Sequence, residues 1–243
     1  MPEISIQAEQ IFRIGHWPIT NAFLLSFMVL LIFVICAAAL RRKLTLIPGK
    51  LQSLFELFIE EALSLMDTVF GERRLSERYL PLVATIFLFI LISNWIGLFP
   101  GIGSIKIGDT RTAPLFRSPA SDLNFTIALA VISVVSVNLL GVLVVGFKKH
   151  FSKFFTLKHP ISSFVGLLEF ISEFIKIISF SFRLFGNVFA GEVLLTIVGF
   201  LVPYFIPLPF LFLEVFVGFI QAFIFSMLTL VFIAMATTEE TAH

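Results

Sequence analysis

Long apolar runs alternate with short charged ones along this chain, and the run lengths set its class. Runs 22–40, 81–99 and 123–147 are each long enough to cross the roughly 30 Å hydrocarbon core of a bilayer as a helix. Two more, 161–202 and 210–236, flank Pro203, Pro207 and Pro209, which force a turn between them. Segment 51–70 is different: Leu51, Leu54, Phe55, Phe58, Ala62, Leu65, Met66 and Val69 recur at helical spacing against Gln52, Glu56, Glu60, Glu61 and Asp67. That is the pattern of an amphipathic helix lying on the membrane surface or against a partner. Residues 1–21 form a short polar lead-in without a leader-like pattern, and 101–121 a loop punctuated by Gly and Pro. The predicted fold is all-α. It is a single polytopic membrane domain over 1–243, with about five crossing helices, one amphipathic surface helix and a long tilted C-terminal helical hairpin.

Composition agrees with this class. The chain is 58% hydrophobic with 32 Phe, where roughly half apolar is ordinary for a soluble protein. A membrane β-barrel would instead show short segments of alternating polarity. A net charge of +1 gives no attraction to nucleic acid. The lone Cys36 falls mid-span and is assigned to packing, and His16, His150, His159 and His243, placed in loops or tails, lack the spacing of metal ligands. No cofactor is implied.

Run 161–202 would be roughly 60 Å long as one helix, about twice the thickness of hydrocarbon. It must tilt, kink (Gly186 and Gly191 are candidates) or begin outside the bilayer. Tilt is favoured, because Glu169, Glu173, Lys176, Arg183 and Glu192 need protein or water along its whole length. With the N-terminus outside, the inner segments hold Arg41, Arg42, Lys43, Lys50, Arg73, Arg74, Arg78, Lys148, Lys149, Lys153 and Lys158. The outer ones hold only Arg13, Lys106, Arg111 and Arg117. This asymmetry predicts an outer N-terminus and an inner C-terminus.

Arg183 is the focus of the chain. A guanidinium stays protonated, and placing it at a bilayer centre costs about 3 kcal/mol or more. Lys176, Ser179, Arg183, Asn187 and Ala190 share one helical stripe with Gly186 at its edge, and such small residues let another helix approach closely. Glu192 is about half a turn out of phase and looks another way. On the last helix Glu214, Gly218 and Gln221 form their own line. Antiparallel packing across the proline turn levels Arg183 with Gln221 and Glu192 with Glu214, giving two polar layers roughly 13 Å apart. Two carboxylates brought together in a low dielectric repel when both are ionised, which predicts a proton-exchanging pair. Lys176 can also pair locally with Glu173 or Glu169.

The run from Ser179 to Glu192, with Arg-Leu-Phe-Gly-Asn at its core, and the run from Gln221 to Thr229 resemble the two signature segments of subunit a of F-type ATP synthases. Asn94-Trp-Ile-Gly-Leu-Phe-Pro100 and Pro119-Ala-Ser-Asp-Leu-Asn124 extend the match over most of the chain. The resemblance implies a non-catalytic stator subunit in a bacterial inner membrane. Its partners would be a ring of c subunits, the b subunits of a peripheral stalk and the remaining F1Fo subunits. It also implies that Arg183 faces the ring carboxylates with Ser179 and Asn187 beside it, and that Glu192, Glu214 and Gln221 line an outer half-channel. Glu169, Glu173 and Lys176 would line an inner one. Many members place a His at one of the two acidic positions, and this chain has Glu at both.

Two other classes compete. An independent ion-coupled transporter would show inverted repeats, and no second copy of the arginine segment exists. An intramembrane enzyme would need a base beside Ser179 or Ser181, and the helical runs contain no His.

Overall fold

The computed structural model describes residues 9–15, 17–42, 45, 48–99, 116–152 and 160–238. Among them the chain forms a two-stranded hairpin, β1 (Gln10–Ile14) and β2 (Trp17–Thr20), and then α1 (Asn21–Arg42), α2 (Lys50–Phe70) and α3 (Arg73–Gly97). A 3₁₀ turn (Pro119–Ser121) precedes α4 (Leu123–Val145), α5 (Phe147–Ser152), α6 (Pro160–Leu201) and α7 (Pro207–Thr238). Helices α1, α3, α4, α6 and α7 are long and apolar enough to cross a membrane. The molecule is a multi-pass membrane protein, as the hydropathy pattern predicts.

Several boundaries differ from those expected. The polar lead-in contains an antiparallel hairpin that turns at Gly15, whose φ of +63° suits glycine. It runs directly into α1, where the Phe23 N–H donates to Thr20 Oγ1 at 3.2 Å. Helix α3 begins at Arg73, well before residue 81, with Pro81 inside it. Its first two turns are polar, so a hydropathy reading sees only the apolar remainder, and the proline removes just one backbone donor. The predicted span 123–147 is divided at Gly146 (φ +92°), whose N–H closes on the Val142 carbonyl at 3.0 Å before α5 starts. Asp122 starts α4 by accepting from the Asn124 N–H at 3.0 Å.

Helix α6 is continuous over 42 residues, and neither Gly186 nor Gly191 breaks it. In α7, Pro207 and Pro209 occupy the first turn, where a missing N–H costs nothing. Helix α7 is the hub of the packing, touching α2, α3, α4 and α6. One apolar core joins Ile90, Ala130, Leu184, Ala222 and Phe225, and a second joins Met66, Tyr79, Val137, Leu230 and Ile233. Polar cross-links add to them. Thr126 and Ser181 hydroxyls meet at 3.0 Å between α4 and α6, and Ser133 and Thr229 at 2.8 Å between α4 and α7. Asn94 Nδ2 and Trp95 Nε1 donate to the Gly218 and Val215 carbonyls at 3.0 and 3.1 Å, fixing α3 against α7.

Two side-chain expectations need correction. Cys36 lies exposed on α1 and does not pack inside the chain. On α2 the buried residues are Leu63, Met66 and Phe70, while Leu54, Phe55 and Leu65 are exposed, so the packed stripe is rotated from the predicted face. Arg73 ties this helix to α3, reaching Glu60 at 2.7 Å and Asp67 at 3.0 Å. The nearby Ser76 hydroxyl dipole, and then Arg73 at 3.0 Å, hold the Asp67 carboxyl below its ordinary range. Lys43, Lys106, Arg111, Lys153 and Lys158, with His16, His159 and His243, lie outside the described residues.

Candidate functional site at the long helix

Helix α6 has a packed face and an open one. Phe180, Leu184 and Val188 are buried in the core. The opposite stripe carries Ser179, Gly186, Asn187 and Ala190, all exposed, with Lys176 and Arg183 part-buried. Arg183 donates to Ser179 Oγ at 3.2 Å, and among the described residues it forms no ion pair. The guanidinium lies 6.0 Å from the Phe180 ring centroid. A permanent cation therefore sits on a stripe of small side chains that nothing among the described residues covers, the arrangement the helical spacing predicts.

The hairpin register also agrees with the expected pairing. Phe180 packs against Phe225 with ring centroids 4.7 Å apart and the planes tilted by 38°. The Glu214 carboxylate rests on Gly191, where an added Cβ would overlap it. Glu214 is thus level with the neighbour of Glu192, and continuing that antiparallel register places Gln221, buried on α7, near the depth of Arg183.

Glu192 and Glu214 share a cavity of about 260 Å³ with Asn94, Arg117, Ser118 and Thr196 among its lining residues. Arg117, itself buried, approaches Glu192 Oε1 to 3.6 Å and donates from Nε to Ser121 Oγ at 3.0 Å. Asn94 Oδ1, Ser118 Oγ and Glu192 Oε2 are buried without a protein partner. A space of this size with several unpaired polar atoms is roomy and polar enough for water, which can carry protons between the carboxylates.

Toward the N-terminal end of α6, Glu173 is held on both oxygens. Lys176 Nζ donates to Oε1 at 2.7 Å and Asn138 Nδ2 to Oε2 at 3.1 Å. Glu173 is therefore the Lys176 partner, while Glu169 accepts the Ser172 hydroxyl on its backbone carbonyl at 2.7 Å. His150 is buried on α5, with Nε2 3.2 Å from Asn138 Oδ1, which corrects its assignment to a loop.

Sequence reasoning missed Arg117, Asn138 and His150 as site residues. From the sequence, Arg117 reads only as one of the few outer charges. Asn138 had a legible signal, since it is the most polar residue in the middle of an otherwise apolar run. His150 had none, because only the break at Gly146 folds it back.

A family profile described as ATP synthase A chain matches residues 22–234. ATP synthase subunit a of Campylobacter jejuni (strain 81-176) is 37% identical over 216 residues, 89% of each chain. The subunit a of Helicobacter pylori (strain P12) is 36% identical over 96% of this chain and 95% of its own. That of Moorella thermoacetica is 33% identical over 94% of this chain and 96% of its own.

Proposed function

The chain belongs to the ATP synthase A chain family, and from that premise we propose how its residues divide the work. It is the proton-channel stator subunit of the Fo sector, a component of a rotary ATP synthase. The reading as an independent transporter has no support. Our proposal assigns the open stripe of α6 to a ring of c subunits, places b subunits as neighbours, and gives the subunit no catalytic step of its own. Its bacterial relatives favour a bacterial inner membrane. The cluster of Arg41, Arg42, Arg73, Arg74, Lys148 and Lys149 favours an outer N-terminus and an inner C-terminus.

In this reading a protonated ring carboxylate meets Arg183 and releases its proton inward, because the fixed cation stabilises the ionised form. After passing, the carboxylate is reprotonated from the outer cavity through Glu214 and Glu192, with Gln221 lining the way. Arg183 cannot give up its proton and so bars a straight leak between the two half-paths. Ser179 orients the guanidinium, and Asn187 leaves room beside it for the ring. Each charge crossing supplies about 2.3 kcal/mol per 100 mV, so several crossings drive each nucleotide synthesis.

The observation that carries this reading is an arginine in the middle of a long apolar helix, on a stripe that the described residues leave bare. The test is Arg183→Gln in the whole complex, with assembly checked by immunoblot. Coupled ATP synthesis should fall to background, and undiminished synthesis overturns the reading. In a Cys36→Ser background, Ser179→Cys and Ala190→Cys should cross-link to a ring subunit.

A further inference from the structure

Glu173 has more support than a helix-surface ion pair needs. A local lysine–glutamate pair ordinarily forms from two side chains on one helix and contributes a few tenths of a kcal/mol. Here the second carboxylate oxygen is taken by Asn138 from α4, and Asn138 is held in turn by His150 from α5. Three segments converge on one carboxylate.

The chemistry of the amide fixes the whole chain of contacts. Asn138 Nδ2 spends its two hydrogens on the Val134 carbonyl, at 2.9 Å, and on Glu173 Oε2. Turning the amide over would set its oxygen against two other acceptors, so Oδ1 must face His150. His150 Nε2 is then the donor, which selects one tautomer of the ring. Space for that ring is reserved in the backbone. A Cβ on Gly141 would come within 2.7 Å of His150 Cε1 and 2.9 Å of Nδ1. The ring therefore packs this close to α4 only because position 141 has no side chain. A cavity of about 490 Å³ borders Asn138, His150 and Glu173, walled otherwise by apolar residues such as Val135, Leu139 and Phe174.

We propose that Asn138 and His150 are positioning residues that hold Glu173 as the collecting carboxylate of the inner half-path. The inference rests on the stator reading above and adds to it the identity of the inner proton acceptor. Glu173 lies ten residues before Arg183 on a continuous helix, about 15 Å along the axis. A proton leaving a ring carboxylate beside Arg183 moves inward through water along α6, is taken up by the Glu173 carboxylate and is then released to water on the inner side, returning the carboxylate. No other group changes state. The restraint matters because Lys176 belongs to the open stripe with Arg183. Held by Lys176 alone, the carboxylate could swing with the lysine onto that stripe. The α4 and α5 contacts draw it back toward the cavity.

The test uses membranes carrying the whole complex, with assembly quantified by immunoblot. Passive proton conduction is read after F1 is stripped, and ATP-driven pumping before. Glu173→Gln, Asn138→Leu and His150→Leu should each lower conduction about tenfold, the factor that goes with losing one hydrogen bond from the chain of contacts on the carboxylate. The Asn138→Leu, Glu173→Gln double variant should be no worse than Glu173→Gln alone, since both act on one carboxylate. His150→Gln, which keeps an N–H donor, should recover at least half of the conduction lost in His150→Leu, a rescue that loss of ring packing alone would not give. Conduction within twofold of the parent in Asn138→Leu at normal assembly overturns the inference, as does a double variant whose losses multiply. Coupling that survives Arg183→Gln overturns the underlying stator reading. Loss in Arg183→Gln beside normal Asn138→Leu and His150→Leu overturns only the inference.

Discussion

The two ends of α6 solve the problem of an acid in a greasy setting in opposite ways. Around Glu192 and Glu214, polar groups converge from α3, the 116–122 segment, α6 and α7, and several are left without a protein partner. Around Glu173, both carboxylate oxygens and both ends of the Asn138 amide are engaged. The Glu192–Glu214 site is unsaturated, with polar atoms left over for water. The Glu173 site is closed on itself and is held by direct contacts. A water-linked site tolerates small shifts because solvent rearranges, whereas a chain of direct hydrogen bonds fails when one member is lost.

Three experiments sharpen this contrast. The largest effect is expected from Glu214→Gln, which removes an ionisable group from the cavity it shares with Glu192. ATP-driven proton pumping should drop about a hundredfold, the scale of losing a positioned acid or base. Gly191→Ala should be milder and more revealing. The added methyl overlaps the Glu214 carboxylate, and overpacking of this kind costs about 1–3 kcal/mol. Pumping should fall about tenfold, and combining it with Glu214→Asp should restore part of the loss by withdrawing the carboxylate. The smallest effect belongs to the α2–α3 corner, which lies away from either path. The lowered Asp67 carboxyl contributes stability in full above its ordinary value of about 4, and that contribution is lost as pH falls through the lowered folded value. In detergent melts Asp67→Asn should therefore lower Tm slightly at neutral pH and match the parent in strong acid, with proton pumping unchanged.

Much of this architecture is legible in the order of residues. Crossing helices announce themselves as long apolar runs, and the hairpin register followed from the proline turn together with polar residues at matched depths. Glu214 meeting Gly191 is the structural form of that reasoning. What stayed hidden came from segments remote in sequence. Arg117 reaches Glu192 from a turn whose path periodicity does not encode, and His150 reaches Asn138 only because Gly146 ends one helix and lets another begin. The hairpin at 10–20 was missed because short strands beside a membrane carry a weak pattern. The rotated face of α2 was missed because lipid and protein both accept apolar side chains, so amphipathicity marks a greasy side without saying which of the two covers it.

Position 191 has a consequence for how such a chain can change over time. Because the acid of α7 occupies the room a side chain would fill on α6, bulk at one site and reach at the other are a single quantity measured from two directions. A lineage that enlarges the first must shorten or relocate the second in the same step or soon after. The spacing between the last two helices is then inherited as a matched pair, and neither half can drift alone.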